Sequence, residues 1–279
     1  MRNPAGKLFA FTFISYALGC LVLAGYLAHR SPPAAPPWTF PHFTTATPLP
    51  DFSIFEQPQE RKVAFINTLL PLIEEKNEAL LEARTLVLEM KHQIDMGEAL
   101  TSSQIDILES LRERYHVNHD MYPDTAKAVE ILLLRIDIIP PSMALAQAAM
   151  ESGWGTSRFA AEAYNLFGQW CYTTGCGLVP ERRAQGARHE VQAFASIEES
   201  IDAYYKNINT HSAYRHLREL RAQLREIDGG LTGSELVAGL EKYSARGQRY
   251  IDELRTIIRV NSLEEPLMVT AEITSPHTH

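Results

Sequence analysis

From Pro140 to Gly155 the chain reads Pro-Pro-Ser-Met-Ala-Leu-Ala-Gln-Ala-Ala-Met-Glu-Ser-Gly-Trp-Gly, and this stretch decides the fold. Its two prolines predict the start of a helix, with Ser142 placed to accept hydrogen bonds from the free N–H groups. The glycines around Trp154 predict where the helix ends. Glu151 then lies in the last turn, on the face that carries Gln147 and several alanines. The spacing therefore puts its carboxyl on the apolar, close-packing side of the helix.

A single carboxyl on an apolar helix face is costly unless it is paired or kept neutral. Desolvation by Trp154 and the negative end of the helix dipole both favour the neutral form of Glu151. A carboxylic acid that stays protonated near neutral pH is what general-acid cleavage of a glycosidic bond requires. The alternative is a helix-ending glutamate that reaches solvent, and a second motif decides between the two.

That second motif is Tyr-Asn-Leu-Phe-Gly-Gln-Trp, from Tyr164 to Trp170. Aromatic rings with a few amides form the kind of wall that stacks on sugar faces and hydrogen-bonds acetamido groups. One of Leu166 and Phe167 is expected to belong to the core instead. The predicted substrate-binding residues of the two motifs are Gln147, Trp154, Tyr164, Asn165, Phe167 and Trp170.

Taken together, the two motifs resemble the glucosaminidase domain of glycoside hydrolase family 73, and within it the Bax-like group of Gram-negative bacteria. The resemblance spans about residues 45–260. It implies a mainly α, lysozyme-like α+β fold with a small β-hairpin lobe. It also implies that the protein hydrolyses β-1,4 bonds after N-acetylglucosamine in peptidoglycan glycan strands, with Glu151 as the general acid.

Two alternative functions remain open from the residues. A muramidase or a lytic transglycosylase would suit the same scaffold with its single glutamate, and the sugar at the new reducing end distinguishes them from a glucosaminidase. A non-catalytic scaffold that binds peptidoglycan is a different class, in which the cleft is kept and activity is lost.

The second catalytic group is less well defined by the sequence. Glycosidases usually need two carboxylates, and Glu181 and Glu190 in the predicted β-lobe are the candidates, with a neighbouring arginine to keep Glu181 ionised. A third route needs no second carboxylate, because the acetamido oxygen of the substrate attacks the anomeric carbon.

Two tyrosines near the end of the domain come from the resemblance. Members of the family commonly carry Tyr-Ala-Thr-Asp followed by a second Tyr, with the first Tyr in the active site. Here the first position is Tyr243, followed by Ser-Ala-Arg, so the aspartate is absent. The resemblance implies a catalytic role for Tyr243, whereas Tyr250 is expected mainly to pack.

Cys171 and Cys176 close a tight loop directly after the second motif. In an oxidising compartment this spacing predicts a disulfide. A metal site is not expected, because no second cysteine pair or histidine cluster completes four ligands. No cofactor is expected either, since hydrolysis by acid–base chemistry requires none. The formal net charge of −8 argues against nucleic acid as a partner.

The amino-terminal residues 1–30 are predicted to be a signal-anchor that spans the membrane. The stretch from Leu8 to Ala28 contains no charged residue, and about 20 apolar residues cross a bilayer, whereas a cleaved signal has a shorter apolar core. The expected location is the periplasmic side of the inner membrane of a Gram-negative bacterium. The alternative is secretion into the periplasm after signal cleavage.

The remainder of the 279 residues divides by composition and periodicity. Residues 31–50 form a Pro-rich linker, 51–136 an amino-terminal helical region, 137–261 the lysozyme-like catalytic region and 262–279 a mobile tail. Helices are predicted over about 61–94, 102–115 and 123–135, and strand-like stretches over 178–179 and 191–194. The amino-terminal helices are a possible docking surface for other envelope proteins.

Overall fold

The structure is a computed structural model that describes residues 47–181, 183, 186, 188–227 and 231–265. The predicted anchor (1–30), most of the predicted linker and residues 266–279 of the predicted tail lie outside these residues. Within the described part, no helix combines the length and the apolar character needed to cross a membrane.

The described residues form a mainly helical structure with one small antiparallel sheet, which confirms the predicted helical class with a small β-lobe. The helices are α1 (Pro58–Asp95), α2 (Ser102–Arg114), α3 (Thr125–Arg135), α4 (Pro141–Ser152), α5 (Arg158–Ala163), α6 (Ile197–Thr210), α7 (Arg215–Leu224), α8 (Gly233–Leu236) and α9 (Gln248–Val260). The strands are β1 (Trp170–Cys171), β2 (Gly177–Leu178) and β3 (Glu190–Gln192), and short 3-10 turns cover Phe52–Ile54, Ser212–Tyr214 and Val237–Leu240.

The sheet has three strands in the order β1-β3-β2, so the lobe is larger than the predicted hairpin. Val191 of β3 is paired with Trp170 on one side and with Leu178 on the other. The added strand begins inside the second motif, at Trp170. The motif therefore runs directly from the loop beside Glu151 into the lobe.

Local sequence signals set the ends of the first three helices. Pro58 is the first residue of α1, where its missing N–H costs no hydrogen bond. Thr101 and Gln104 form a reciprocal capping box at the start of α2. The side chain of Asp124 accepts from the backbone N–H of Lys127 and caps α3.

The start of α4 differs from the prediction. Pro140 is the N-cap, Pro141 is the first helical residue, and no side chain caps the helix. Ser142 already lies inside the first turn, where its hydroxyl donates to Glu264 Oε1 at 3.3 Å. The prediction that Ser142 caps the helix was wrong, because the prolines begin the helix two residues earlier than a serine cap requires. The predicted end is confirmed, with Gly153 left-handed at φ 59°.

Helix α4 lies at the centre of the core. Every side chain from Met143 to Ala149 is buried, and the helix packs against α1, α8 and α9. Small side chains let the neighbouring backbones come close. An added Cβ at Gly233 of α8 would lie 2.7 Å from the backbone nitrogen of Met143.

Helix α1 shares this core with the region after α4. The ring of Phe65 contacts Trp154 edge-on, with centroids 5.6 Å apart, and Phe52 packs against Phe65 at 5.4 Å. Gly155 lies directly against the Phe52 ring. The amino-terminal helical region therefore packs onto the turn that ends α4 and supports it.

A buried carboxylate makes a second link between the two regions. Asp137, 2% exposed, is bonded by both Arg225 Nε (2.7 Å) and Arg225 Nη2, and it lies 3.5 Å from Arg84 Nη1 of α1. Arg221 of α7 lies 3.6 Å away. Since Asp137 joins α1 to α7, the amino-terminal helices and the catalytic region are held by charge as well as by packing.

The last described residues, 262–265, pack against the fold, although the predicted tail starts at 262. Leu263 is buried, and the carboxylate of Glu264 accepts from the backbone N–H of Ser234 at 2.7 Å and from its hydroxyl at 2.8 Å. Residues 262–265 thus close the helical core beside α8.

Replacement of Gly155 by alanine should destabilise the protein strongly. Its φ of +79° disfavours any side chain, and the new Cβ would lie 2.2 Å from Phe52 Cδ2. We expect a loss of about 3 kcal/mol in the free energy of unfolding, from backbone strain and overpacking together. Urea unfolding followed by circular dichroism measures it.

Gly97→Ala is the matched control. Gly97 has nearly the same φ, +76°, but no atom lies within 4 Å of the added Cβ. It should cost only the strain, about 1 kcal/mol. Equal losses in the two variants would show that contact with Phe52 contributes nothing.

Candidate active site

Glu151 lies in the last turn of α4, half-buried, as its spacing predicts. Burial raises the pKa of its carboxyl, while a hydrogen bond from Tyr250 and the nearby positive charge of Arg246 oppose part of that rise. Desolvation is the largest of these effects. The protonated form of Glu151 is therefore more favourable than it is for a glutamate in water. A proton donor requires this form.

A chain of three hydrogen bonds leads to this carboxyl. Tyr204 donates its hydroxyl proton to Gln147 Oε1 at 2.6 Å, and Gln147 Nε2 donates to the Tyr250 oxygen at 3.1 Å. The Tyr250 hydroxyl then donates to Glu151 Oε1 at 2.9 Å. Because the amide of Gln147 already donates to Tyr250, the single hydroxyl proton of Tyr250 is directed at Glu151.

The second oxygen of Glu151 faces Gly168. A Cβ at this position would lie 3.0 Å from Glu151 Oε2, and φ is +64° there. Glycine thus leaves the space beside Oε2 open while Oε1 is bonded to Tyr250. The arrangement leaves one oxygen to carry a proton to a ligand.

Tyr243 lies beside this pair but does not donate to Glu151. Its hydroxyl donates to the backbone oxygen of Phe167 at 2.8 Å, and its ring stacks on Tyr250 with centroids 5.6 Å apart. It therefore ties the second motif to the tyrosine that contacts the acid. The catalytic role assigned to Tyr243 stays a prediction.

Asn165 shapes the loop of the second motif. It is 1% exposed, and its amide donates to the backbone oxygens of Gln169 (2.9 Å) and Gln192 (2.8 Å) while accepting from Gln169 N at 3.0 Å. Phe167 is equally buried and stacks on Tyr204 at 4.0 Å. These contacts hold the loop of the second motif in place. Direct contact of Asn165 or Phe167 with a sugar stays a prediction.

Trp154 and Tyr164 lie at the ends of helices in left-handed conformations. Trp154 is held by α1, through Phe65 and through Lys62 Nζ 5.1 Å from its ring centre. Tyr164 follows α5 as its C-cap and is partly exposed. The substrate-binding role of Trp154 and Tyr164 also stays a prediction.

Trp170 has the most exposed ring of the second motif. Its side chain is 55% exposed, and one ring face stacks on His189 with centroids 4.1 Å apart and planes within 15°. Among the described residues, no second ring stacks on Trp170. A flat apolar surface is therefore available on the lobe, at the end of the motif that begins beside Glu151.

The β-lobe is closed by the predicted disulfide, which is confirmed between Cys171 and Cys176. Inside the loop, Glu190 accepts from the backbone N–H groups of Gly175 (3.1 Å) and Gly177 (2.9 Å). These bonds lower the pKa of its carboxyl. Glu190 lies close to both sulfurs, but bonded sulfurs lack the thiolate that binds a metal.

These contacts separate the two candidates for the second carboxylate. Glu190 is 5% exposed, and its two carboxylate oxygens accept from backbone N–H groups of its own lobe. These bonds support the fold of the lobe, and a catalytic role for Glu190 stays a prediction. Glu181 follows Pro180 in an exposed turn, and no hydrogen bond joins its side chain to another of the described residues.

Comparison with known proteins defines the family. The profile of the mannosyl-glycoprotein endo-beta-N-acetylglucosaminidase family, called Glucosaminidase, matches residues 126–263. Protein bax of Escherichia coli (strain K12) is 34% identical over 213 residues, which is 76% of this chain and 74% of that protein. The chain belongs to the Bax-like glucosaminidase-domain family. No solved structure matches the chain significantly.

Among the residues of this Bax-like protein, sequence reasoning missed the direct role of Tyr250. It was expected to pack, but it donates to the acid and accepts from Gln147. Its place as the second tyrosine of the family pattern is the one sequence signal that was available. Tyr204 and His189 carried no such signal, since each acts through a partner distant in sequence.

Glu151→Gln should stabilise the protein increasingly as the pH rises. Because burial raises the pKa of Glu151 in the fold, its stabilising contribution is present at low pH and is lost as the pH rises through that value. Glutamine stays neutral and still accepts from Tyr250. Urea unfolding at pH 5 and pH 8 should show a larger gain at pH 8.

Glu162→Gln provides the control, because Glu162 is an exposed glutamate in the neighbouring helix α5 that lies 3.6 Å from Arg158. It should give no gain that grows with pH. If Glu151→Gln raised the free energy of unfolding equally at pH 5 and pH 8, the result would contradict the desolvation of Glu151.

Proposed function

We propose that this protein is an endo-β-N-acetylglucosaminidase that hydrolyses β-1,4 glycosidic bonds of peptidoglycan, with Glu151 as the general acid. The supporting observation is the half-buried carboxyl of Glu151, with Oε1 bonded to Tyr250 and Oε2 facing the space left by Gly168. Membership of the glucosaminidase family supports a glycosidase of this broad class. The lysozyme-like character of the fold belongs to the same proposal.

In the proposed reaction, Oε2 of Glu151 gives its proton to the glycosidic oxygen as the bond from that oxygen to the anomeric carbon breaks. The Tyr250 hydroxyl already points at Oε1, so the carboxylate that forms is stabilised without any rearrangement. Water then adds to the anomeric carbon, and a proton returns to Glu151. No cofactor takes part in these steps.

The proposed binding surface is aromatic. Sugar rings have apolar faces that stack on exposed aromatic side chains. Trp170 is 55% exposed, and His189 stacks on its ring. Tyr172, 73% exposed, follows on the same lobe. We place a glycan strand along this lobe, with Gln147, Asn165 and Phe167 holding the surface from below.

For the second group we propose Glu181, since Glu190 is bonded within the lobe. Its exposed position after Pro180 leaves its carboxylate free to act on water or on the anomeric carbon. The route through the acetamido oxygen of the substrate is the competing hypothesis, and the variant described below distinguishes the two.

We also propose that the protein works at the periplasmic side of the inner membrane. The uncharged stretch from Leu8 to Ala28 supports an anchor, and the Pro-rich residues after it support a spacer towards the wall. The disulfide between Cys171 and Cys176 fits an oxidising compartment. Peptidoglycan is the proposed partner, with other envelope proteins at the amino-terminal helices.

The decisive assay incubates purified peptidoglycan with the protein and with its Glu151→Gln variant. Products are reduced with borohydride and identified by mass spectrometry. We expect reduced N-acetylglucosamine at the new chain ends from the unmutated protein, and at least a 100-fold lower rate from the variant, the size usual for loss of a general acid.

The other functions give different results in this assay. Reduced muramic acid identifies a muramidase, and anhydro-muramic acid identifies a lytic transglycosylase. If neither protein releases a product but both bind the wall equally, the non-catalytic scaffold is correct and the proposed activity is rejected.

Glu181→Gln should lower the rate on the same substrate by about 100-fold or more if Glu181 is the second carboxylate. Glu162→Gln, an exposed glutamate outside the lobe, is the control and should keep its rate. A rate for Glu181→Gln within a few-fold of the unmutated protein would instead assign the second role to the acetamido group of the substrate.

A further inference from the structure

A cavity of about 240 Å³ opens between α3, the start of α7 and Tyr122 in the loop before α3. No residue in its lining belongs to the candidate site around Glu151. Its walls carry three arginines, Arg135 from α3 and both Arg215 and Arg218 from α7. In a chain with a formal net charge of −8, this is a local concentration of positive charge.

The lining offers little negative charge in return. Its one carboxylate is Glu219, which is bonded to Arg215 Nε at 2.8 Å. Within the described residues, neither Arg135 nor Arg218 lies within ion-pair distance of a carboxylate. Three guanidinium groups therefore share one acid.

The partners of the two inner arginines are neutral carbonyl groups. Arg135 Nη1 donates to the backbone oxygens of Tyr115 (2.6 Å) and His116 (2.9 Å). Arg218 Nη1 donates to two other backbone oxygens, those of Ile208 and His211, both at 2.9 Å. These bonds fix each guanidinium in place through one nitrogen and compensate none of its charge.

Arg218 is the most constrained of the three. It is 5% exposed, and burial together with the charges of Arg135 and Arg221 lowers its pKa to about 10. The positive charges of Arg135 and Arg221 make the charged form of Arg218 less favourable. An anion in the cavity would offset this repulsion. The cavity is thus preorganised for negative charge.

We propose that this cavity binds a small oxyanion, with phosphate or carboxylate oxygens held by Arg135, Arg215 and Arg218. Forked guanidinium donors match the oxygens of both groups, and the hydroxyl of Tyr122 adds a further donor. The cavity joins α3 of the amino-terminal region to α7 of the catalytic region. Binding there would stabilise the junction of the two regions by mass action.

The test uses the purified full chain at constant ionic strength, with isothermal titration and thermal unfolding. One arm adds inorganic phosphate, and the other adds an N-acetylated dipeptide with a free terminal carboxylate. Saturable binding with a rise in Tm is expected in at least one arm. Tighter binding of phosphate points to the free ion as the ligand, and tighter binding of the dipeptide points to a peptide carboxylate.

Two variants act in opposite directions. Glu219→Gln removes the one acid of the lining and should tighten binding about threefold, the size expected for an exposed ion pair. Arg215→Glu should weaken it about tenfold or more, since it reverses a charge in the lining. Tighter binding by Glu219→Gln would not result from damage to the fold, so this variant tests the binding role directly.

Arg249→Glu is the matched control, because it reverses one exposed charge as Arg215→Glu does. Arg249 pairs with Glu253 four residues on, at 3.0 Å, and its side chain is 80% exposed; Arg215 pairs with Glu219 at 2.8 Å, and its side chain is 79% exposed. Arg249→Glu should leave anion binding unchanged. The proposal fails if neither probe saturates, or if Arg215→Glu and Arg249→Glu both bind the anion as the unmutated chain does.

Discussion

The hydrogen bond from Tyr250 to Glu151 is the interaction on which the site depends. A carboxyl drawn out of water must keep a partner or stay neutral. Here one oxygen has the partner, and burial raises the pKa of the carboxyl. The bond requires α4 to bring Gln147 and Glu151 to one face, and α9 to bring Tyr250 against them. Tyr204 of α6 completes the chain. One chain of hydrogen bonds, which ends at Glu151, thus joins three helices that are distant in sequence.

The helices before the family match are part of the same structure. The family profile covers residues 126–263, yet Phe65 of α1 packs on Trp154 directly after the acid helix. Arg84 of α1 approaches the buried Asp137 as well. The turn that ends α4 sets the position of Glu151, and α1 holds that turn. The unit that folds and supports the site therefore starts well before the profile, near the Phe52 turn.

Local signals explain what the sequence predicted, and long-range pairing explains what it did not. The helix ends, the face of Glu151 and the disulfide each depend on residues within a few positions of each other, so they were visible. The hydroxyl of Tyr250 and the support of Trp170 by His189 join residues far apart in the chain, so no spacing reveals them. The prediction that Ser142 caps α4 was wrong for a local reason, since the helix already begins at the preceding proline.

The loop beside the acid shows how the site keeps an open position. Gly168 leaves room at Glu151 Oε2, but a glycine also gives the loop more conformations to lose on folding. Asn165 offsets this by bonding the backbone of Gln169, and Tyr243 bonds the carbonyl of Phe167 on the other side. The glycine is thus held from both directions by side chains. The space beside the acid therefore depends on the hydrogen bonds of Asn165 and Tyr243 as well as on the missing side chain of the glycine.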